Sequence, residues 1–272
     1  MKAALCLSGQ SRTFKKCFKS QYNHIIKPLN ADVFIHTWAY AGNSQIHATH
    51  NQSYDINKYV KFVDSYKYST PLTAINQLYK PKTMVVEYPD YNFFIDKMKQ
   101  SKNLPDQDKN SDKWYTLFKN NNRYKWFNLL MMHYGIYKSN SLKKKFEDIK
   151  GFKYDLVIRC RFDLLFKKAI IDEVEKNVIY LPPNEDIDIV FNEGMKKQLQ
   201  EKGPAFMPND KFAYGNSGAM DYYSSIYEFY NRDVDYYLHH GEASVSQHLW
   251  DKNNSEYKNI KINDKIKMKI QR

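Results

Sequence analysis

The stretch Ala3-Ala4-Leu5-Cys6-Leu7-Ser8-Gly9 decides the reading of this chain. An unbroken apolar run that ends in Ser-Gly describes a strand buried on both faces and running into a turn. After Arg12-Thr13, the apolar residues Phe14, Cys17, Phe18, Tyr22 and Ile25 recur at steps of three and four, so a helix follows, and Pro28 stops it. Ala31-Asp32-Val33-Phe34-Ile35-His36-Thr37-Trp38 is a second strand of the buried type. Strand, helix and strand in this order form a βαβ unit, whose two strands run parallel.

The chain continues outward in the same style. Residues 39–80 are polar and read as loops with one short helix, and Thr83-Met84-Val85-Val86-Glu87-Tyr88 is a third strand. Residues 89–123, rich in Asp, Lys and Asn, read as a surface excursion. A long helix opens near Lys125 and presents Trp126, Leu130, Tyr134 and Tyr137 on one face. It slips phase near Ser139-Asn140-Ser141, continues with Leu142, Phe146 and Ile149, and ends at Gly151. The strongest strand is Tyr154-Asp155-Leu156-Val157-Ile158-Arg159-Cys160-Arg161-Phe162-Asp163, followed by Val178-Ile179-Tyr180-Leu181, which Pro182-Pro183 closes. Beyond a polar stretch comes the short strand in Asp210-Lys211-Phe212-Ala213-Tyr214-Gly215. A helix over 217–231 turns Met220, Tyr223, Ile226 and Phe229 inward, and another from Gly241 carries Val245, His248 and Leu249. In the tail, Ile260, Ile262, Ile266, Met268 and Ile270 stand among Lys and Asp at period two, which is a strand pattern. With no internal repeat and no long linker, the expectation is one α/β domain over 1–272, with a variable polar excursion at about 39–124.

Composition narrows the function. The 272 residues are 42% hydrophobic and 26% charged, which suits a packed core and excludes general disorder. No apolar run is long enough to cross a membrane, and the N-terminal run is too short for a signal-peptide core. Cys6, Cys17 and Cys160 are sparse and unclustered, which argues against a disulfide framework or a zinc ribbon and for a reducing, cytoplasmic setting. The net charge of +12 rests on 36 lysines against six arginines, with Asn, Ile and Tyr also abundant, as an AT-rich genome would encode. Lys143-Lys144-Lys145 and Lys261, Lys265, Lys267 and Lys269 read as solvated surface. Three of the six arginines, Arg12, Arg159 and Arg161, fall instead at strand ends on one sheet edge, and they point to a compact anion rather than a polymer.

Four segments carry chemistry. Ser8-Gly9-Gln10-Ser11-Arg12-Thr13 lies between strand and helix, where free N–H groups, a glycine and a guanidinium fork suit a phosphate. It is neither a GxGxxG nor a Walker loop, and an ordinary turn would read the same way. In Arg159-Cys160-Arg161-Phe162-Asp163, alternation puts Arg159, Arg161 and Asp163 on one face. Two arginines and a carboxylate there suit a diphosphate, with Asp163 able to hold Mg2+ or Mn2+. The plain alternative is an internal Arg–Asp salt bridge. Asp210, just before a short aromatic strand, is placed to bond a sugar hydroxyl or simply to cap a turn. Glu242 in a first helical turn favours the helix dipole, and His248 and His36 read as core histidines.

In order, these segments run strand–Ser-Gly-Gln-x-Arg–helix, then Ala-Asp-Val-Phe-Ile-His-Thr-Trp, then the helix with Tyr134-Gly135-Ile136-Tyr137-Lys138. Tyr-Asp-Leu-Val-Ile-Arg-x-Arg-x-Asp, Asn-Asp-x-Phe-Ala-Tyr-Gly and Glu242 with His248-Leu249 follow. Over residues 3–38 and 125–250, the chain resembles the GT-A-type glycosyltransferases of large DNA viruses and bacterial surface-polysaccharide gene clusters. The resemblance implies a GT-A-like, Rossmann-related single domain with a mostly parallel central sheet flanked by helices. It implies a nucleotide-diphosphate-sugar donor as co-substrate and a glycan acceptor, with protein or lipid the lesser choices. Ser8, Gly9, Arg12, Lys138, Arg159 and Arg161 would bind the donor. Asp163 would be the metal-side carboxylate for Mn2+ or Mg2+, and Asp210 and Glu242 the candidate bases. Arg161 stands where the first Asp of an Asp-x-Asp signature would be and could itself offset diphosphate charge.

Two other classes compete. A nucleic-acid-binding protein would interleave aromatic and basic residues on one surface. Here Phe14, Phe18, Trp126 and Phe146 take apolar-face positions instead, so no nucleic-acid partner is expected. Another nucleotide-dependent transferase, such as a nucleotidyltransferase, would share only the N-terminal βαβ unit, and a catalytically silent glycan-binding relative would share more. No feature speaks to the oligomeric state.

Overall fold

β1 (Ala3–Gly9) is the hinge of the architecture. It pairs in parallel with β2 (Asp32–Trp38) on one side and β4 (Leu156–Arg161) on the other. The structure is a computed structural model that describes residues 1–39, 70–89, 93, 123–169, 171, 174–183, 209–231, 241–249 and 260–271. With β3 (Thr83–Glu87), β6 (Ile179–Leu181), β7 (Phe212–Gly215) and β8 (Ile260–Ile262), these strands make a seven-stranded sheet in the order β3-β2-β1-β4-β7-β6-β8. β7 is antiparallel to both neighbours and the other pairings are parallel, so the expected α/β fold with a mostly parallel sheet is present. β5 (Leu164–Lys168) and β9 (Lys267–Ile270) form a separate antiparallel pair.

Alternation along the strands divides the core. Leu5, Leu7, Ile35, Ile158 and Cys160 face α1 (Phe14–Gln21) and α2 (Leu72–Tyr79), where they meet Phe14, Ile25, Ile75 and Tyr79. Ala4, Cys6, Phe34 and Val157 point the other way. They meet Ile136 of α3 (Arg123–Lys150), Met220 and Tyr223 of α4 (Ser217–Ser224) and Val245 of α5 (Gly241–Leu249). All three cysteines are buried free thiols. Among the described residues, no helix is long and apolar enough to cross a membrane.

Two helices differ from expectation. α1 begins at Phe14, and Pro28 does not stop it. A wide π turn over Tyr22–Ile26 carries the chain on through a short turn at Lys27–Leu29, and Asn30 closes it at φ 45°. That turn rotates Tyr22 outward, to 40% exposure, and buries Gln21 in its place. α3 runs unbroken through the expected phase slip. Its innermost line is Leu130, His133, Ile136, Ser139, Lys143 and Glu147, whereas Tyr134 and Tyr137 are half-buried and Ile149 is 69% exposed. Lys143 is therefore not a solvated lysine. It is fully buried, and its Nζ donates to Glu147 Oε2 (3.1 Å), Ser217 Oγ (2.8 Å) and Asp221 Oδ1 (2.7 Å). A polar side chain can take a core position when its bonds are all made there, which an apolar periodicity does not register.

Candidate anion and transfer site

The carboxyl ends of β1, β2 and β4 open into one cavity, lined by Ser8, Gly9, Gln10, Arg12 and Trp38 together with Met131, Met132, Arg159, Arg161 and Asp163, and enclosing about 180 Å³. The parallel register brings them there, since Ser8 lies opposite both His36 and Arg161. Gly9 has φ 111°, a conformation that disfavours any side chain, and its carbonyl accepts a 2.9 Å bond from the Thr37 hydroxyl. Open sheets place ligand crevices at such strand ends.

The Arg161–Asp163 salt bridge weighed from sequence is present. Arg161 Nε donates to Asp163 Oδ1 (2.9 Å) and Nη2 to Oδ2 (2.6 Å), while Arg12 Nη1 lies 3.9 Å from Oδ2 and Arg12 Nε donates to Gln10 Oε1 (2.7 Å). Burial by itself would raise the Asp163 carboxyl. The charge and bonds of Arg161, with Arg12, outweigh it and leave the group below the ordinary carboxylate range. The turn is fastened from behind. The amide of Gln21 donates to the carbonyls of Arg161 (3.0 Å), Phe162 (3.2 Å) and Leu164 (3.0 Å), and Tyr79 Oη donates to Gln21 Oε1 (2.8 Å). From the tail, Gln271 N donates to the Asp163 carbonyl (2.8 Å).

Arg159 is different. It is 1% exposed, and none of its three guanidinium nitrogens has a hydrogen-bond partner among the described residues. Burial lowers its pKa, partly offset by the charges of Tyr223 and Asp210. The Tyr223 hydroxyl is also buried without a hydrogen-bond partner among the described residues, and burial pushes it up to about 12. Asp210 reaches this neighbourhood because β7 is antiparallel. Phe212 pairs with Cys160, so the residues before β7 arrive at the edge where β4 ends. A Cβ on Gly241 would overlap Asp210 Oδ2 and touch Met132, so the start of α5, with Glu242 next in line, abuts Asp210 and a cavity-lining residue.

The fold thus gathers Ser8, Gly9, Arg12, Arg159, Arg161 and Asp163 in one cavity and sets Asp210 and Gly241–Glu242 beside it. Lys138 is not among the lining residues. Its Nζ lies 3.3 Å from Glu87 Oε1, in a cluster where His36 Nε2 is 2.9 Å from Glu87 Oε2. The His36 bond, ahead of burial and the Tyr134 and Lys138 contributions, sets the balance that brings Glu87 down to about 2. Both histidines read as core residues are so: His248 Nε2 bonds the Tyr222 carbonyl (2.7 Å) and its ring stacks on Tyr222. The sequence reading missed Gln10, Trp38, Met131 and Met132 in the lining and Tyr223 near Arg159. Trp38 was findable, because it ends a strand parallel to β1.

Among the described residues, the donor set does not fit a divalent cation. Asp163 is the single carboxylate among the described residues lining the cavity, and both its oxygens are engaged by guanidinium groups. Among the described residues, no group of three or more His, Cys, Asp or Glu is placed to hold a metal. Mg2+ and Mn2+ require several oxygen ligands and open lone pairs.

No family model matches the chain, and no curated protein matches it by sequence. Among solved structures it is similar to core-mannan synthase A (CmsA/Ktr4) from Aspergillus fumigatus in its Mn/GDP form, with 10% identity and a TM-score of 0.42, over 99% of this chain and 74% of that one. It is also similar to the apo form of mouse xyloside xylosyltransferase 1, with 12% identity and a TM-score of 0.33, over 92% and 74% of the respective chains.

Proposed function

We propose that this chain is a GT-A-type glycosyltransferase that moves a sugar from a nucleotide-diphosphate-sugar donor to a glycan acceptor. The observation that carries the reading is Arg159, a buried guanidinium whose hydrogen-bonding capacity the described residues leave unused, at the carboxyl edge of the sheet. Holding a cation dry without partners is costly, and a phosphate supplies both charge and acceptors. The motif order of the sequence supplies the rest of the reading.

In transfer, the bond from the anomeric carbon to the β-phosphate oxygen breaks and its electron pair stays on the diphosphate. Arg159, with Arg12 and Arg161, stabilises that growing charge. The acceptor hydroxyl oxygen bonds the anomeric carbon and gives its proton to a carboxylate, for which Asp210 is the first candidate and Glu242 the second. Ser8 and Gly9 receive the nucleotide side of the donor.

A panel of nucleotide sugars, assayed for nucleoside diphosphate release with and without a glycan acceptor, tests the reading. Release from at least one donor is expected, and Asp210→Asn should slow it by about 10²-fold or more while donor binding persists. Absence of both release and binding with every donor, alongside tight salt-sensitive binding of RNA or DNA, would replace this reading with the polymer-binding one.

A further inference from the structure

We propose that this centre binds its diphosphate without a divalent cation, Arg159 standing in for the metal and Asp163 serving as a positioning residue for Arg161 and Arg12. The inference rests on the donor reading above, and it parts from the metal-side role that the sequence resemblance gives Asp163.

Three observations carry it. The first is charge. The cavity lining holds the guanidinium groups of Arg12, Arg159 and Arg161 against the carboxylate of Asp163, with the Asp210 carboxylate acting on Arg159 and Arg161 from beside it. The cations still outnumber these carboxylates, so a diphosphate meets a net positive lining before any metal is added. The second is occupancy of the carboxylate. Asp163 has a side-chain exposure of 5% and accepts both Arg161 bonds in a fork-to-fork geometry. A cation could reach it only by displacing Arg161 and settling among guanidinium groups.

The third is division of labour among the arginines. Arg161 spends Nε and Nη2 on Asp163, and Arg12 spends Nε on Gln10. Arg159 spends none of its nitrogens on a described residue, and its charge acts on Tyr223 of α4 and His133 of α3. A planar fork whose N–H groups bond no described residue matches two phosphate oxygens directly. Gln21 and Gln271 lock the turn that carries Asp163, so the carboxylate holds Arg161 and Arg12 in fixed directions toward the same cavity.

The test is a titration of the wild-type chain with UDP, GDP, ADP and TDP by calorimetry, in excess EDTA and again with excess Mn2+. At least one diphosphate should bind in EDTA with an affinity within about threefold of that in Mn2+. Tightening by Mn2+ of about tenfold or more would overturn the inference and leave the donor reading intact. Failure of every diphosphate to bind in both buffers would overturn both. Asp163→Asn separates the roles further. As a positioning change, it should weaken the diphosphate by the same factor in both buffers and leave the affinity for the matching nucleoside unaltered. A loss confined to the Mn2+ buffer would mark Asp163 as a metal ligand, and equal loss for nucleoside and diphosphate would mark it as merely structural.

Discussion

Two buried cations near α4 are treated in opposite ways. Lys143 makes three hydrogen bonds to Glu147, Ser217 and Asp221, while Glu147 also accepts from the Tyr154 backbone (2.8 Å) and from Lys153 (3.2 Å). Arg159 is as deeply buried and makes none among the described residues. The first is a closed network that ties α3 to α4 and to the entry of β4. The second lies where three strand ends open. Charge burial alone does not separate the two cations; hydrogen-bond saturation does.

The largest way to break the contrast is Lys143→Met. It removes the buried positive charge that Glu147 and Asp221 share, and unfolding by denaturant should show a loss of about 3–5 kcal/mol. A loss under about 1 kcal/mol would mean that the network is ornamental. Arg159→Met should act in the opposite direction, raising the stability of the protein by about 1–4 kcal/mol while removing diphosphate binding. Destabilisation as deep as that of Lys143→Met would make Arg159 a structural cation and erase the difference.

The smallest effect is in pH. His133, fully buried on α3, is lowered from 6.5 to about 3 by burial and then by the charges of His248 and Arg159. Below 6.5 the unfolded chain takes up a proton that the folded chain refuses, so stability falls as pH falls toward 3, by up to about 1.4 kcal/mol per pH unit. Glu87, lowered from 4.5 to about 2, adds a loss of the same sign below 4.5. Arg159→Met should flatten the His133 part of this slope in denaturant melts at stepped pH. A wild-type stability that stays level between 6.5 and 4 would remove His133 from the account.

Much of this was legible in the residues. β1, β2 and β4 are runs of apolar residues that only a buried strand uses, and Arg12, Arg159, Arg161 and Asp163 stood out as charges at their ends. Period two recovered β8 and β9, and the helical step recovered Met220, Tyr223, Val245 and His248 as inward. Where the reading failed, a polar group had taken a core position. Lys143 and Gln21 are buried because partners far along the chain meet them, Ser217 and Asp221 of α4 for Lys143 and the carbonyls from Arg161 to Leu164 for Gln21. Lys138 sat in the right motif and turned to Glu87 instead, since helical position sets direction and motif membership does not.

The sequence by itself determined the βαβ start, the strand ends and the placing of three of its six arginines near them. Those are local properties, carried by apolar runs and by which residues follow them. Only the tertiary structure decided that β7 runs antiparallel and so brings Asp210 beside Arg159. It alone decided that Asp163 is spent on Arg161 and that Lys143, rather than Arg159, is the satisfied cation. Hydrogen-bond saturation depends on which distant atoms meet, and periodicity records only which face a side chain leaves.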